Sequence, residues 1–281
     1  NSYYQTGLKN LMDLAVINKV KEEKLDFIKK QFTKIDEIPF DFERRRMSVV
    51  LEDESGKREL ITKGALEEML SICSKIYIDS RLEDLTPKME EMVLETVREL
   101  NKTGMRVLAV AQKYEVPDET KFSVQDERDM VLIGYMGFLD PAKESAPATI
   151  ASLKEHGVIV KVLTGDNQFV TEKICRDVGI ESDEILLGQD IESMDNDRLA
   201  ARAQEVNIFA KLSPMQKERI IEVLQLDHVV GFLGDGINDA QALNKSDIGI
   251  SVDTAVDIAK ESADMILLEK DLGVLELGVR E

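Results

Sequence analysis

Two aspartates, Asp235 and Asp239, stand four residues apart in the stretch GFLGDGINDAQAL, directly after an apolar run. The first closes a strand-like segment, and the second falls in the first turn of the helical pattern that follows. Two carboxylates ~4 Å apart repel by about 4 kcal/mol at an effective dielectric of 20. The spacing therefore calls for a cation beside them or for one of them to be protonated. Magnesium suits such a pair, because it takes hard oxygen ligands and commonly binds one or two carboxylates together with phosphate and water. Gly234 and Gly236 are expected to let the backbone turn sharply and approach a ligand closely. The competing reading, a dinucleotide fingerprint G-x-G-x-x-G, fails because its third glycine falls on Asp239, whose carboxylate would face a pyrophosphate. No G-x-x-x-x-G-K-[ST] string occurs. A purely structural turn is the alternative.

Two further loops carry groups suited to phosphate. Thr164-Gly165-Asp166 ends an apolar segment, where a hydroxyl and the amides of a helix entrance can donate to a phosphoryl group; a threonine N-cap is the plainer reading. Lys217 lies in SPMQKER, on the first turns of a helix after another apolar run, and is by itself an ordinary solvated charge.

The elements that must position these groups follow from patterning. From about residue 130, short apolar runs alternate with amphipathic stretches. MVLIGYMGFLD, IVKVLTGD, IFAKL, HVVGFLGDG, DIGISV and DMILLE are expected strands. NQFVTEKICRDVG, SPMQKERIIEVLQ and TAVDIAKESA are expected helices, with Ser213 as N-cap and Pro214 at the first helical position of the second. Strands that are apolar throughout and alternate with helices indicate a parallel sheet covered on both faces. Ligands in such sheets bind beyond the carboxyl ends of the strands, where TGD and GDG both fall.

The first half has another rhythm. YYQTGLKNLMDLAVI and EKLDFIKKQF have helical spacing, MSVVLEDESGKRELITKG forms two strands about a Glu-Ser-Gly turn, and a helix from Thr86-Pro87 to about Lys102 leads into the strand MRVLAVAQKY. This is an α+β module with an antiparallel sheet. The expected division is 1–136 and 137–281.

Bulk composition narrows the classes. The net charge is −19, with 22 basic and 27 acidic residues through Met136 and 14 and 28 beyond it, which argues against nucleic acid as a partner. Two cysteines without metal-ligand spacing suggest a reducing compartment, and two histidines make a histidine metal site or a Ser-His-Asp triad a poor fit. No window approaches the ~18–20 apolar residues of a membrane span, and no signal peptide opens the sequence. It begins at Asn1 and not at methionine, so a piece of something longer is expected.

Threonine at one strand end, lysine after a later strand, then paired aspartates is the order found in haloacid-dehalogenase-type phosphotransferases. Those proteins place a nucleophilic aspartate on an earlier strand, in D-x-D-x-T or D-K-T-G-T, and neither string is present. The nearest, NKTGM at Asn101–Met105, follows a long helix and is expected to be its stop, with Gly104 as cap. TGDN at Thr164–Asn167, GDGINDA at Gly234–Ala240 and KGA at Lys63–Ala65 make the chain resemble the cytoplasmic domains of P-type ion-pumping ATPases. IPFDFERRRMSVV, FLDPAKES and DIGISVDTAVDIAKESADMILLEKDL are similar to the bacterial magnesium-transporting group. The resemblance covers nearly the whole chain. One departure is Gln241, where the family usually has proline.

The resemblance implies an α/β fold: a haloacid-dehalogenase-like phosphorylation domain, incomplete for want of the strand with the nucleophile, and an α+β nucleotide-binding domain. It implies ATP and Mg2+ as cofactors, Asp235 and Asp239 as metal ligands, and Thr164, Gly165, Asp166, Lys217, Asn238 and Asp239 around the phosphoryl group. Phe40 would lie under adenine, Lys63 would wall the pocket, and Gly64 would let the base approach the backbone. Arg45 and Arg106 would pair with phosphate or ribose oxygens, Asp13 would sit near the adenine amino group, and Asp140 would belong to a hinge. The intact protein would use membrane helices and an actuator domain of the same chain, at the cytoplasmic face of the plasma (inner) membrane, to move an ion. This piece would be soluble and inactive alone. A stand-alone nucleotide-binding or regulatory module, and a capped soluble phosphatase, are the alternatives.

Overall fold

The computed structural model describes residues 1–7, 11–114, 116–269 and 271–280. The chain divides into two compact units, one built from residues 1–100 and 105–139, the other from 101–104 and Asp140 onward.

In the first unit, α1 (Leu11–Lys19) and α2 (Glu22–Gln31) precede β1 (Phe32–Asp41), β2 (Arg46–Asp53) and β3 (Arg58–Gly64). Of the segment expected to be helical from Tyr3, residues 3–7 are turn, coil and bend, Leu8–Asn10 lie outside the described residues, and helix is described from Leu11. After α3 (Leu66–Leu70) come β4 (Cys73–Ile78), β5 (Arg81–Asp84), α4 (Pro87–Lys102), β6 (Met105–Tyr114) and β7 (Met130–Leu139). The seven strands form one sheet in the order β1-β2-β3-β6-β7-β4-β5. Every neighbouring pair is antiparallel except β4 with β7. Strand β7, whose apolar run groups it by pattern with the second half, therefore lies inside this sheet, antiparallel to β6 and parallel to β4. Period-2 alternation sends Ile38, Val50, Leu60, Ala109, Ala111 and Leu132 to one face, where Leu66, Met69 and Val97 of the helices complete a core. Met47, Val49 and Leu51 point the other way and pack with Tyr4, Phe32 and Ile61. Helix α4 ends at the expected place, with Gly104 at φ 89° donating to Asn101 O.

In the second unit the order is α5 (Ala146–Glu155), β8 (Val162–Leu163), α6 (Gln168–Asp177), β9 (Ile185–Leu187), α7 (Gly188–Glu192), α8 (Asn196–Glu205), β10 (Ile208–Ala210), α9 (Pro214–Leu224), β11 (Gly231–Leu233), α10 (Ala240–Lys245), β12 (Ile248–Val252), α11 (Asp257–Glu261), β13 (Met265–Leu267) and α12 (Gly273–Arg280). All strand pairs are parallel, as the apolar runs require. The expected single sheet is split, however, into two three-stranded sheets, β8-β10-β9 and β11-β12-β13. Helix α9 packs on both α8 and α10, and α5 packs on α12, so shared helices hold the two sheets together. Phe209, Leu199 and Ile220 fill the core beside the first sheet, and Leu243 and Ala259 the core beside the second.

Candidate functional site

The carboxyl ends of three strands in the second unit carry the phosphate-type motifs, and hydrogen bonds tie them into one constellation. After β8, Thr164 O accepts from Leu212 N at 3.0 Å and Asp166 O accepts from Lys211 N at 2.9 Å. The TGD turn is thus fastened to the segment that leaves β10. Thr164 Oγ1 accepts from Asp166 N at 3.1 Å, and Asn167 caps α6 through Phe169 N. Gly165 is exposed, and a Cβ there would lie 3.3 Å from Leu212 O.

Ser213 caps α9, accepting from Gln216 N, while Gln216 reaches back to Ser213 N. One turn on, Lys217 is no solvated surface charge: it is 4% exposed and donates to Asp239 Oδ1 at 2.7 Å. Asp239 Oδ2 accepts from the backbone N–H of Asp235 and of Gly236 at 3.2 and 3.0 Å. The positive partner demanded by the two aspartates is therefore supplied, for Asp239, by the chain itself.

Both oxygens of Asp239 accept hydrogen bonds from within the chain, which fixes its carboxylate against the loop. At Gly234 and Gly236 a side chain would meet atoms of the chain's own loop. A Cβ on Gly234 would stand 2.5 Å from Asp239 Cβ, and one on Gly236 would collide with Asn238 Oδ1. Gly234 is needed because the side chain of Asp239, held by Lys217, folds back over the turn, whereas the neighbour of Gly236 is the movable end of Asn238. Asp235, by contrast, is exposed, and its backbone is fixed by Val256 N donating to its carbonyl. Among the described residues no group of three or more His, Cys, Asp or Glu converges as a metal cage. One solvent-facing carboxylate beside a preset loop suits Mg2+, which keeps several waters and shares its shell with phosphate; it does not suit an ion requiring an all-protein cage. Gln241 lies exposed on the first turn of α10.

In the first unit the expected nucleotide residues occupy α1, β1, β3, β6 and the turn before β2. Phe40 is 51% exposed and meets Phe42 edge-to-face, with centroids 5.2 Å apart. Lys63 is buried and forms an ion pair with Asp13; its ammonium also donates to Gln5 Oε1 at 2.7 Å and Ser2 Oγ at 3.4 Å. Asp13, expected near an adenine amino group, is 1% exposed and holds Lys63. At Gly64 a Cβ would stand 2.7 Å from Arg45 O and 2.5 Å from Arg46 Cβ, so the position admits no side chain. Arg45 has φ 46°, the left-handed region, its carbonyl accepts from Ala65 N, and its guanidinium lies 3.9 Å from Glu68. Arg106 is half-buried on β6, three residues before Ala109, which pairs with Gly64. Asp140 is exposed at the first residue of the second unit's main segment.

Patterning misses several participants. Gln5 and Ser2 are single polar residues with no periodic signal. Glu127 is fully buried and receives Arg44 and Arg46, yet in sequence it is one acid among many.

Comparison with known proteins bears on both units. Residues 5–145 match the family described as P-type ATPase, cytoplasmic domain N, and residues 110–247 match haloacid dehalogenase-like hydrolase. The chain is 50% identical, over its whole length, to "Magnesium-transporting ATPase, P-type 1" of Escherichia coli K12, of which it covers 31%. A protein of the same name from Salmonella typhimurium LT2 is 48% identical over 99% of the chain, with 31% of its own length covered. "Calcium-transporting ATPase 1" of Lactococcus lactis is 31% identical over 86% of the chain, with 28% of its length covered. The chain thus spans about a third of the length of the curated relatives it matches.

Proposed function

The chain belongs to the P-type ATPase family, and from that premise we propose that it is the ATP-binding and phosphate-handling part of a cation transporter, with magnesium as the transported ion. The first unit would bind ATP, with Phe40 stacking on adenine and the Lys63–Asp13 pair, Gly64, Arg45 and Arg106 forming its surroundings. The second would surround the transferred phosphoryl group, through Thr164, Gly165 and Asp166 on one side and Lys217, Asn238 and Asp239 on the other. Asp235 would hold Mg2+, which supplies charge neutralisation of phosphate oxygens when bound. Membrane helices and an actuator domain of the same protein would couple the chemistry to ion movement at the cytoplasmic face. Among the described residues no helix is long and apolar enough to cross a membrane.

The observation that carries this reading is the split sheet. Parallel strands normally lie in the interior, paired on both sides. Here β8 and β11, whose carboxyl ends bear TGD and GDG, are edges of separate sheets. One further parallel strand between them would complete the layer and deliver its carboxyl end between those loops, where an aspartate accepting a phosphoryl group belongs. That strand would come from a part of the protein outside this sequence. Lys217 would then offset the charge that accumulates on the phosphoryl group.

ATP titration tests the nucleotide half of this reading. The parent chain is expected to bind ATP, and Phe40→Ala to lose roughly fivefold to a hundredfold in affinity, the worth of one base–aromatic stack. Equal binding by both would remove Phe40 from the site.

A further inference from the structure

Phe40 stands where backbone pairing gives out. The β1–β2 ladder shifts register between Ile38 and Asp41, leaving Pro39 and Phe40 without Cα partners on β2. Phe40 and Phe42 are both largely exposed, so the core does not hold them. A side chain takes over the missing role: Arg44 Nη2 donates to Pro39 O at 2.8 Å, gripping the peptide group that enters Phe40. The same guanidinium donates through Nη1 to Glu127 Oε2 at 2.6 Å.

Glu127 is the fixed end of this relay. Its side chain is 0% exposed. Oε2 also accepts from Arg46 Nε at 2.8 Å, and Oε1 accepts from Ser48 Oγ at 2.7 Å, which in turn meets Thr62 Oγ1 at 2.7 Å. One carboxylate from a segment about eighty residues away thus joins β2, β3 and the turn between β1 and β2. A buried carboxylate with donors on both oxygens has one low-energy geometry, and a planar guanidinium transmits it, because its donors form a rigid fork.

We propose that Glu127 is a positioning residue for nucleotide binding, acting through Arg44 to hold the Pro39–Phe40 peptide and so the ring face that Phe40 offers to a base. This rests on the reading of Phe40 as the adenine platform. It assigns no contact between Glu127 and the nucleotide.

The test uses the whole chain, with ATP affinity and the Phe40–Phe42 ring NOEs as separate readouts in the parent, Phe40→Ala, Glu127→Gln, Arg44→Met and the Glu127→Gln/Arg44→Met double variant. Expected are intact folds, weakened Phe40–Phe42 NOEs without nucleotide in both single variants, and about a three- to tenfold loss of ATP affinity in each, the scale of one ordinary net hydrogen bond. The double variant should lose no more than the larger single loss, since both changes cut one relay. Unchanged NOEs and affinity in Glu127→Gln, or independent losses that multiply in the double variant, would overturn the proposal. Should Glu127→Gln not fold, Arg44→Met decides alone: parental NOEs overturn the proposal and lost NOEs support it. Parental affinity in Phe40→Ala would sink the adenine reading, and the nucleotide-binding role of Glu127 with it. The NOEs would still show whether Glu127 positions the ring pair.

Discussion

At the residue scale, the Lys217–Asp239 pair is the clearest case of a charge whose meaning depends on burial. Exposed pairs contribute little, whereas removing one partner of a buried pair strands the other. Lys217→Ala is expected to destabilise the chain by about 3–5 kcal/mol, measured by denaturant unfolding, because it leaves Asp239 buried without its cation. Asp235→Asn, at an exposed carboxylate, should leave stability within about 0.5 kcal/mol. Similar losses in the two variants would contradict the division of roles between the aspartates. The thiols give a second check. Burial pushes Cys73 up to about 12 and Cys175 up to about 11. The thiolate is the reactive form, so it is scarce at pH 8 and still a minority at pH 10. Neither cysteine should react with a disulfide reagent in the folded chain at pH 8, and both should react on unfolding; rapid labelling of the folded chain would contradict the burial of these side chains.

At the scale of elements, the sequence exposes what local chemistry dictates and hides what pairing decides. Ser213-Pro214 with Gln216 announces the start of α9, because cap, fixed φ and capping box all lie within four residues. Gly104 announces the end of α4 for the same reason. The hairpin of β4 and β5 goes unseen because its turn uses Asp79 at φ 47° and Ser80 at φ 62°, left-handed positions normally signalled by glycine or asparagine. Strand β1 is masked by Pro39, which is tolerated because β1 is the sheet's edge and its register slips there. The motifs TGD, GDG and KGA are legible as strings. That their glycines serve the chain's own side chains and turns is not, because it depends on atoms folded back from elsewhere. The split between β8-β10-β9 and β11-β12-β13 predicts uneven amide protection. The outward amides of β8 and β11 should exchange much faster than those of the central strands β10 and β12, read by hydrogen exchange. Equal protection in all four would mean that these edges are covered in this chain.

At the scale of the whole molecule, the proposed function divides two tasks between the two units. The mainly antiparallel sheet of the first unit presents the exposed rings of Phe40 and Phe42, on which a base would stack. The parallel strands of the second unit gather loops at their carboxyl ends, where a phosphoryl group and a divalent ion would bind. The excess of negative charge in the second half, 28 acidic against 14 basic residues beyond Met136, agrees with cation attraction there, although solubility accounts for most of it. The most direct measurement is an amide chemical-shift map of the labelled chain titrated with ATP in the presence of magnesium. The expected result is a cluster of perturbed amides at residues 39–46, 63–64 and around 106, with the core strands of the second unit unmoved. Silence throughout the first unit, or shifts confined to the loops at 164–167 and 234–239, would contradict it.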